Sequence, residues 1–130
     1  MQSATGNSAP RPMPGKLPKS SRLLKHADFQ AVYEHGKKHF SGNVTTFYRE
    51  REDANGPRVG LAVGKVLGGA VERNRIRRRI RAVVARRLNL MARPLDVVMH
   101  PRKSVLNLEF SRLDAEIERV FSSLQKGKTR

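Results

Sequence analysis

Residues 59–81 read VGLAVGKVLGGAVERNRIRRRIR, and the fold turns on how this stretch divides. Its opening run, residues 59–63, is short, apolar and rich in valine, which reads as a strand. Gly68-Gly69 then marks a bend. From about residue 71 to about residue 91 the apolar positions Ile76, Ile80, Val83, Val84 and Met91 recur as one face of a helix requires, with Pro94 as a stop. Arg87 interrupts that stripe; its aliphatic stem can lie over the core while the guanidinium reaches water.

Working outward, residues 44–49 are β-branched and aromatic and lie between Ser41-Gly42 and the cluster Asp53-Ala54-Asn55-Gly56-Pro57, which predicts a strand followed by a turn. Asn55-Gly56 suits a hairpin, so this strand and the one at 59–63 are expected to pair antiparallel. Before them, Phe29, Val32 and Tyr33 recur at helical spacing within residues 26–35, and Gly36 is a natural left-handed stop. After the central helix, residues 95–99 form an apolar run broken only by Asp96. A helix separates it from the strand at 59–63, so parallel pairing through a crossover is expected. A last helix is predicted over residues 112–124, with Ser111 as its cap, Asp114 three residues on, and Leu113, Ile117, Val120, Phe121 and Leu124 as its buried stripe. These residues alone give the order αββαβα, an α+β or α/β sandwich.

A chain of 130 residues fits one domain with one modest core. Residues 1–20, rich in Pro, Ser, Gly and Asn, read as a flexible tail, residues 21–124 as the domain, and residues 125–130 as a second, basic tail. The Ser-rich start lacks acids, as transit peptides do, but carries only Arg11, Lys16 and Lys19 and shows no amphipathic period. The longest apolar stretch, residues 59–71, contains Lys65 and several glycines, so no membrane span is expected. The absence of cysteine excludes disulfides and thiolate metal sites. A cytoplasmic protein fits these features.

The net charge is +16, from 27 Lys and Arg against 11 Asp and Glu, which calls for a polyanionic partner. Residues 60–95 carry ten cations and one acid, so more than half of the excess falls in about a quarter of the chain. No acid lies between Arg73 and Leu95, so these arginines lack i,i+4 partners on their own helix. Arg73, Arg77 and Arg81 should share one flank of the apolar stripe and Arg75, Arg79 and Arg86 the other, with Arg78 facing away. Such a ridge is relieved by phosphates, which exchange condensed counterions for guanidinium. Asn74 adds an amide that can donate and accept. The helix's first turn, after Gly68-Gly69, offers unpaired N–H groups to an anion, with Lys65 nearby. A strongly basic RNA-binding protein follows.

The block AVERNRIRR, residues 70–78, resembles the signature of the protein subunit of bacterial ribonuclease P, whose hallmark is an Arg-Asn-Arg element. DFQAVYEHG, residues 28–36, is similar to that family's first helix, and LDVVMHPR, residues 95–102, to its last strand, so the likeness spans roughly residues 17–124. The resemblance implies an αβββαβα sandwich of the ribosomal protein S5 domain 2-like type, with a left-handed βαβ crossover against the usual rule and one more short strand near Phe40. It implies a protein that supports a catalytic RNA in removing the 5′ leader from precursor transfer RNA. The magnesium ions are then held by the RNA, with no cofactor, metal or catalytic group on the protein itself. On that basis Arg73, Asn74, Arg75, Arg77, Arg78 and Arg81 dock on the catalytic RNA, while Phe29, Tyr33 and Lys65 line a cleft for the leader. Two positions depart from the family pattern: Gly64 stands where a hydroxyl residue is usual, and Val66 where a second lysine is common.

Other readings compete. On apolar period alone Phe29 and Tyr33 are core residues. A leucine-zipper-type DNA-binding region lacks its heptads here. A ribosomal or other architectural RNA-binding protein shares the composition. A free-standing enzyme lacks motifs: His26, His35, His39 and His100 have no metal-ligand spacing, and Gly60, Gly64, Gly68 and Gly69 do not form a phosphate loop. Each histidine reads as a surface or hydrogen-bonding residue, with His26 and His39 near enough to the cleft to touch RNA.

Overall fold

Residues 95–99 are apolar on both sides of the chain, and a strand of that kind belongs in the middle of a sheet. The computed structural model, which describes residues 18–127 apart from Leu24 and Ala54, puts it there. The elements are α1 (His26–His35), β1 (Lys37–Phe40), β2 (Val44–Glu50), β3 (Arg58–Leu61), α2 (Ala70–Arg87), β4 (Leu95–Pro101) and α3 (Phe110–Lys126). The sheet order is β1-β2-β4-β3. This is the αβββαβα arrangement, including the short strand at Phe40. Of the tails expected at residues 1–20 and 125–130, residues 1–17 and 128–130 lie outside the described residues; the rest is structured, Lys19–Ser21 in a 3₁₀ turn and residues 125–126 in the last turn of α3.

The expected hairpin between β2 and β3 does not form. β4 lies between them, antiparallel to β2, with Thr46 opposite Met99, and parallel to β3, with Val59 opposite Val97. Gly56 does not take the positive φ that a two-residue Asn-Gly turn requires at its second position. The connection is instead drawn together by Arg51, whose guanidinium donates to the carbonyls of Asn55 and Gly56 and to Asp96, at 3.0, 2.7 and 2.8 Å. Arg58 grips the other side of the same fully buried carboxylate. The parallel β3–α2–β4 crossover stands as expected.

Alternation sorts each strand between two layers. Val44, Tyr48, Val59, Leu95, Val97 and Met99 face a core closed by Ile76, Ile80, Val83 and Val84 of α2 and by Leu113, Ile117, Val120, Phe121 and Leu124 of α3. Both predicted helical stripes are buried in full, with Met91 among them. On the opposite face α1 covers Val98 with Val32, beside Leu23, Phe29 and Phe47. β1 forms one edge of the sheet, with Lys37 and Lys38 exposed. Along the other edge Leu23 N–H donates to the Val59 carbonyl, and Arg22 bridges β3.

Helix ends differ in detail from expectation. α2 stops at Arg87 and tightens into a 3₁₀ turn, Leu88–Leu90, rather than running to residue 91. α3 begins before Ser111, which therefore is not its cap; Phe110 in the first turn packs on the core, and Asp114 reaches α2 instead of its own backbone. Gly36 ends α1 in an extended conformation, φ −94°, not a left-handed one. Its glycine requirement is close approach, since a Cβ there would lie 2.4 Å from the Tyr48 and Val32 carbonyl oxygens.

Glu116 of α3 holds the β1–β2 turn. Its carboxylate accepts from the Asn43 backbone and side-chain amides, each at 2.8 Å, and from the Ser41 hydroxyl. Burial alone would raise this carboxyl, but the Ser41 and Asn43 hydrogen bonds outweigh it and hold it below the ordinary value. Its stabilisation is therefore complete above the ordinary glutamate value of 4.5 and is lost as pH falls through the lowered one. Urea unfolding should show Glu116→Gln less stable by roughly 1–3 kcal/mol near neutral pH, with a shallower loss toward acid than the native chain.

Candidate nucleic-acid interface

The apolar stripe of α2 fixes the helix's rotation, and the remaining positions follow from it. Asn74, Arg75, Arg78 and Arg81 are exposed, while Arg73, Arg77 and Arg79 are half-buried. Their engagements separate them further. Arg73 Nε donates to the Gly68 carbonyl at 3.1 Å, and Arg77 donates to Asn74 Oδ1 at 2.9 Å. Arg79 donates to the Leu108 carbonyl. Arg87 makes two bonds to Asp114 of α3, at 2.7 and 2.8 Å, so its guanidinium is tied across the helix pair rather than released to water. Arg86 approaches the same carboxylate at 3.5 Å. The flank expected to hold Arg75, Arg79 and Arg86 therefore divides, with Arg79 and Arg86 turned toward the α3 side. Arg75, Arg78 and Arg81 form no ion pair or side-chain hydrogen bond among the described residues.

At the start of α2, Gly68 takes φ +128°, so the predicted bend is real. Glu72 Oε1 accepts from the Gly69 N–H at 2.9 Å. One of the helix's open N–H groups is thus already satisfied from within, by the single acid of this region. Lys65 lies exposed in the preceding 3₁₀ turn, Lys65–Leu67.

A second surface lies beside α1. The register places Phe40 opposite Thr45 and Thr45 opposite His100, and the Ala62 N–H continues the β3–β4 pairing. This row crosses the sheet just clear of α1. Tyr33, 39% exposed, leans over it from the helix: its ring meets Phe47 edge-on with centroids 5.3 Å apart, and its hydroxyl lies 2.8 Å from His100 Nε2. His100 stands 5.0 Å from Phe47, and Lys38 Nζ is 5.1 Å from the Phe47 centroid. Phe40 is 60% exposed. A groove lined by Ala62, Val63, Gly64, Val66, Leu67, His100 and Pro101 extends the patch toward the 3₁₀ turn.

The two aromatic residues named from the sequence thus part company. Phe29 packs beneath α1 with Leu23, Val32 and Val98, while Tyr33 faces outward into the patch. Lys65 flanks the groove between Gly64 and Val66 but shares no hydrogen bond, ion pair or ring contact with either aromatic residue. His39 pairs with Thr46, whose side chain is wholly buried, and its Nδ1 is buried without a partner among the described residues; the register puts it on the Met99 face of the sheet, away from the patch. His26 is exposed at the start of α1. Phe47, His100, Phe40 and Lys38 are not placed in the cleft by sequence reasoning, although Phe40 is named there for a short strand and His100 as a surface or hydrogen-bonding residue. Only the alternation of β2 hinted at Phe47, and only the register reveals His100. Among the described residues no cluster of His, Asp and Glu could hold a metal ion, and no helix is long and apolar enough to cross a membrane.

The ribonuclease P family model matches residues 17–125. The chain belongs to the ribonuclease P protein family. It is 36% identical over 114 residues to the ribonuclease P protein component of Acidothermus cellulolyticus, covering 86% of this chain and 94% of that one. A Bacillus cereus ribonuclease P protein component is 30% identical over 105 residues, covering 81% and 91%. The structure of the Staphylococcus aureus ribonuclease P protein superposes with a TM-score of 0.70 at 26% identity, covering 85% of this chain and 98% of that one. The Thermotoga maritima protein, at 22% identity, shares the fold with a TM-score of 0.69 over 78% and 94%. As a ribonuclease P protein the chain is part of an endoribonuclease and acts with the RNA subunit in 5′ leader processing of transfer RNA. The rival reading, an architectural RNA-binding protein without a role in cleavage, is not favoured.

Gly60 seats Phe29. A Cβ at this position would stand 2.6 Å from Phe29 Cζ and 3.1 Å from the Leu23 carbonyl oxygen. Gly60→Ala is expected to push Phe29 off the sheet and cost about 1–3 kcal/mol, read as a lowered urea midpoint; an unchanged midpoint would mean that the ring moves aside freely.

Proposed function

We propose that α2 is the surface that docks on the RNA subunit, through Arg73, Asn74, Arg75, Arg77, Arg78 and Arg81. Within that set Arg75, Arg78 and Arg81 supply free charge, while Arg73 and Arg77 also shape the first turns of the helix. The observation that carries the reading is the state of those three arginines, exposed on a helix whose rotation is fixed and lacking any partner within the described protein. Each can take a phosphate in a two-bond grip at no cost to an existing contact.

Phe29, Tyr33 and Lys65 belong, in the same proposal, to the surface that holds the 5′ leader. Tyr33 meets the unpaired nucleotides, Phe29 supports α1 from below, and Lys65 neutralises phosphate at the groove's end. Aromatic faces suit a segment without base pairs, because stacking does not depend on sequence. A precursor held at both its leader and its transfer RNA body is bound more tightly than the mature product, which lacks the leader. The groups that cut the phosphodiester, and the magnesium ions they use, are assigned to the RNA subunit. A cytoplasmic location completes the proposal, as the place where both RNAs are made.

Replacing Arg75, Arg78 and Arg81 together by alanine is expected to weaken binding to the RNA subunit and to reduce the slope of log affinity against log salt by about two to three, one phosphate contact for each. Arg87→Ala should instead lower the protein's melting temperature and leave that slope as it was, because Arg87 faces Asp114. Filter-binding titrations across a salt series separate the two outcomes. An unchanged slope in the triple variant would refute the assignment.

A further inference from the structure

Four large apolar side chains stand exposed among the described residues. Tyr33 and Phe40 belong to the patch beside α1. The other two, Val66 and Val71, are 92% and 79% exposed and lie on either side of the Gly68-Gly69 bend. Neither can turn inward. Leu67 takes the inward position of the 3₁₀ turn and packs on the core, and the rotation of α2 that buries Ile76 and Ile80 leaves Val71 outside. The bend between the two valines is held from both ends. The Gly68 N–H donates to the Lys65 carbonyl at 3.1 Å, the Arg73 N–H to the Gly69 carbonyl at 2.9 Å, and Arg73 Nε to the Gly68 carbonyl at 3.1 Å.

Single exposed valines are common on protein surfaces, but these two stand among cations. Lys65 precedes Val66, and spacings of three, four and seven put Asn74, Arg75 and Arg78 on the same exposed face of α2 as Val71. Glu72, the single acid of residues 60–95, is taken by the Gly69 N–H. An occupant of this surface must therefore bring negative charge and an apolar face together. A second copy of the chain, at +16, lacks the charge. A nucleotide with its base turned out of the stack has both, a phosphate on one side and the face of the ring on the other. A base inside a regular helix has neither face to offer, because its neighbours cover both.

We propose that Val66 and Val71 form an apolar seat for one unstacked nucleobase of the RNA subunit, at the end of the arginine row, with Arg75 and Arg78 on the phosphates beside it. The inference rests on the reading that α2 docks on the RNA subunit, and it adds a contact of a different kind. Phosphate contacts carry no sequence information and weaken with salt, whereas methyl groups covered by a base release no counterions. The seat thus directs the helix to a place on a folded RNA where a base is turned out, in preference to any double helix.

The test titrates the full chain against the RNA subunit by filter binding over a salt series, beside the variant in which Arg75, Arg78 and Arg81 are alanine. The double variant Val66→Ala/Val71→Ala is expected to bind about ten- to a hundredfold more weakly at every salt concentration, with the native salt slope. Val71→Ile, which keeps the apolar surface, should bind as the native chain does or more tightly. On a plain RNA duplex the native and double-alanine chains should bind alike. Both side chains stand in solvent, so the urea midpoint is expected to stay put; each single alanine variant decides the matter if the double one does not fold. Native affinity of the double variant for the RNA subunit, an equal loss on the duplex, or a loss that comes with a shallower slope would overturn the inference. So would a defect confined to precursor binding by the assembled holoenzyme, which would make the precursor the occupant, since Val66 also borders the groove beside His100. In each of these cases the docking reading stands as long as the arginine variant loses its slope; if that variant keeps the native slope, both fall.

Discussion

Ile76, Ile80, Val83 and Val84 leave α2 no choice of rotation. All four are buried against the sheet and α3, and turning the helix would expose them at roughly 1.5–3 kcal/mol for each side chain. The arginines between them are therefore held where packing puts them, despite mutual repulsion. Acids that might have quietened the ridge are engaged elsewhere: Asp114 with Arg87, Asp96 with Arg51 and Arg58, Glu116 with the β1–β2 turn, and Glu72 with the Gly69 N–H. Hydrophobic burial thus maintains an electrostatic imbalance that only a partner outside the chain can relieve. The fold and the proposed RNA-docking surface are two consequences of one stripe of apolar residues.

Much of this was legible in the sequence because helices announce themselves by local period. The stripes of α2 and α3 and the extent of α1 follow from spacings of three and four residues, which need no knowledge of the rest of the chain. Strand partners do not follow from such spacings. Asn55-Gly56 looks like a hairpin turn, yet β4, forty residues on, separates the strands on either side of it. The decisive fact is the two-sided burial of Val97, Val98 and Met99, together with Asp96 holding Arg51 and Arg58. Arg87 misled in a related way, because Asp114 is close only once α2 and α3 have packed.

The candidate site divides along the same line. The arginine cluster is contiguous in the chain, so its charge could be counted without coordinates, although which arginines are free could not. The aromatic patch is assembled from α1, β1, β2 and β4, and its central pair, Tyr33 and His100, is separated by 67 residues. Phe29 and Tyr33 sit one helical turn apart and look equivalent on a helical wheel. The difference between a ring that supports α1 and a ring that faces outward lies in Gly60, whose missing β-carbon lets Phe29 settle on the sheet.

An open sheet of four strands has two lateral margins, and each presents backbone groups that a stray extended segment can join. In this protein the margin at β3 is shielded by its own incoming chain, where Leu23 bonds to Val59. The margin at β1 bears Lys37 and Lys38, so a second copy approaching it would bring like charge against like charge. Neither side invites self-recruitment into larger β-structures. The positive charge that suits the protein to RNA thus also discourages edge-to-edge pairing between its own copies.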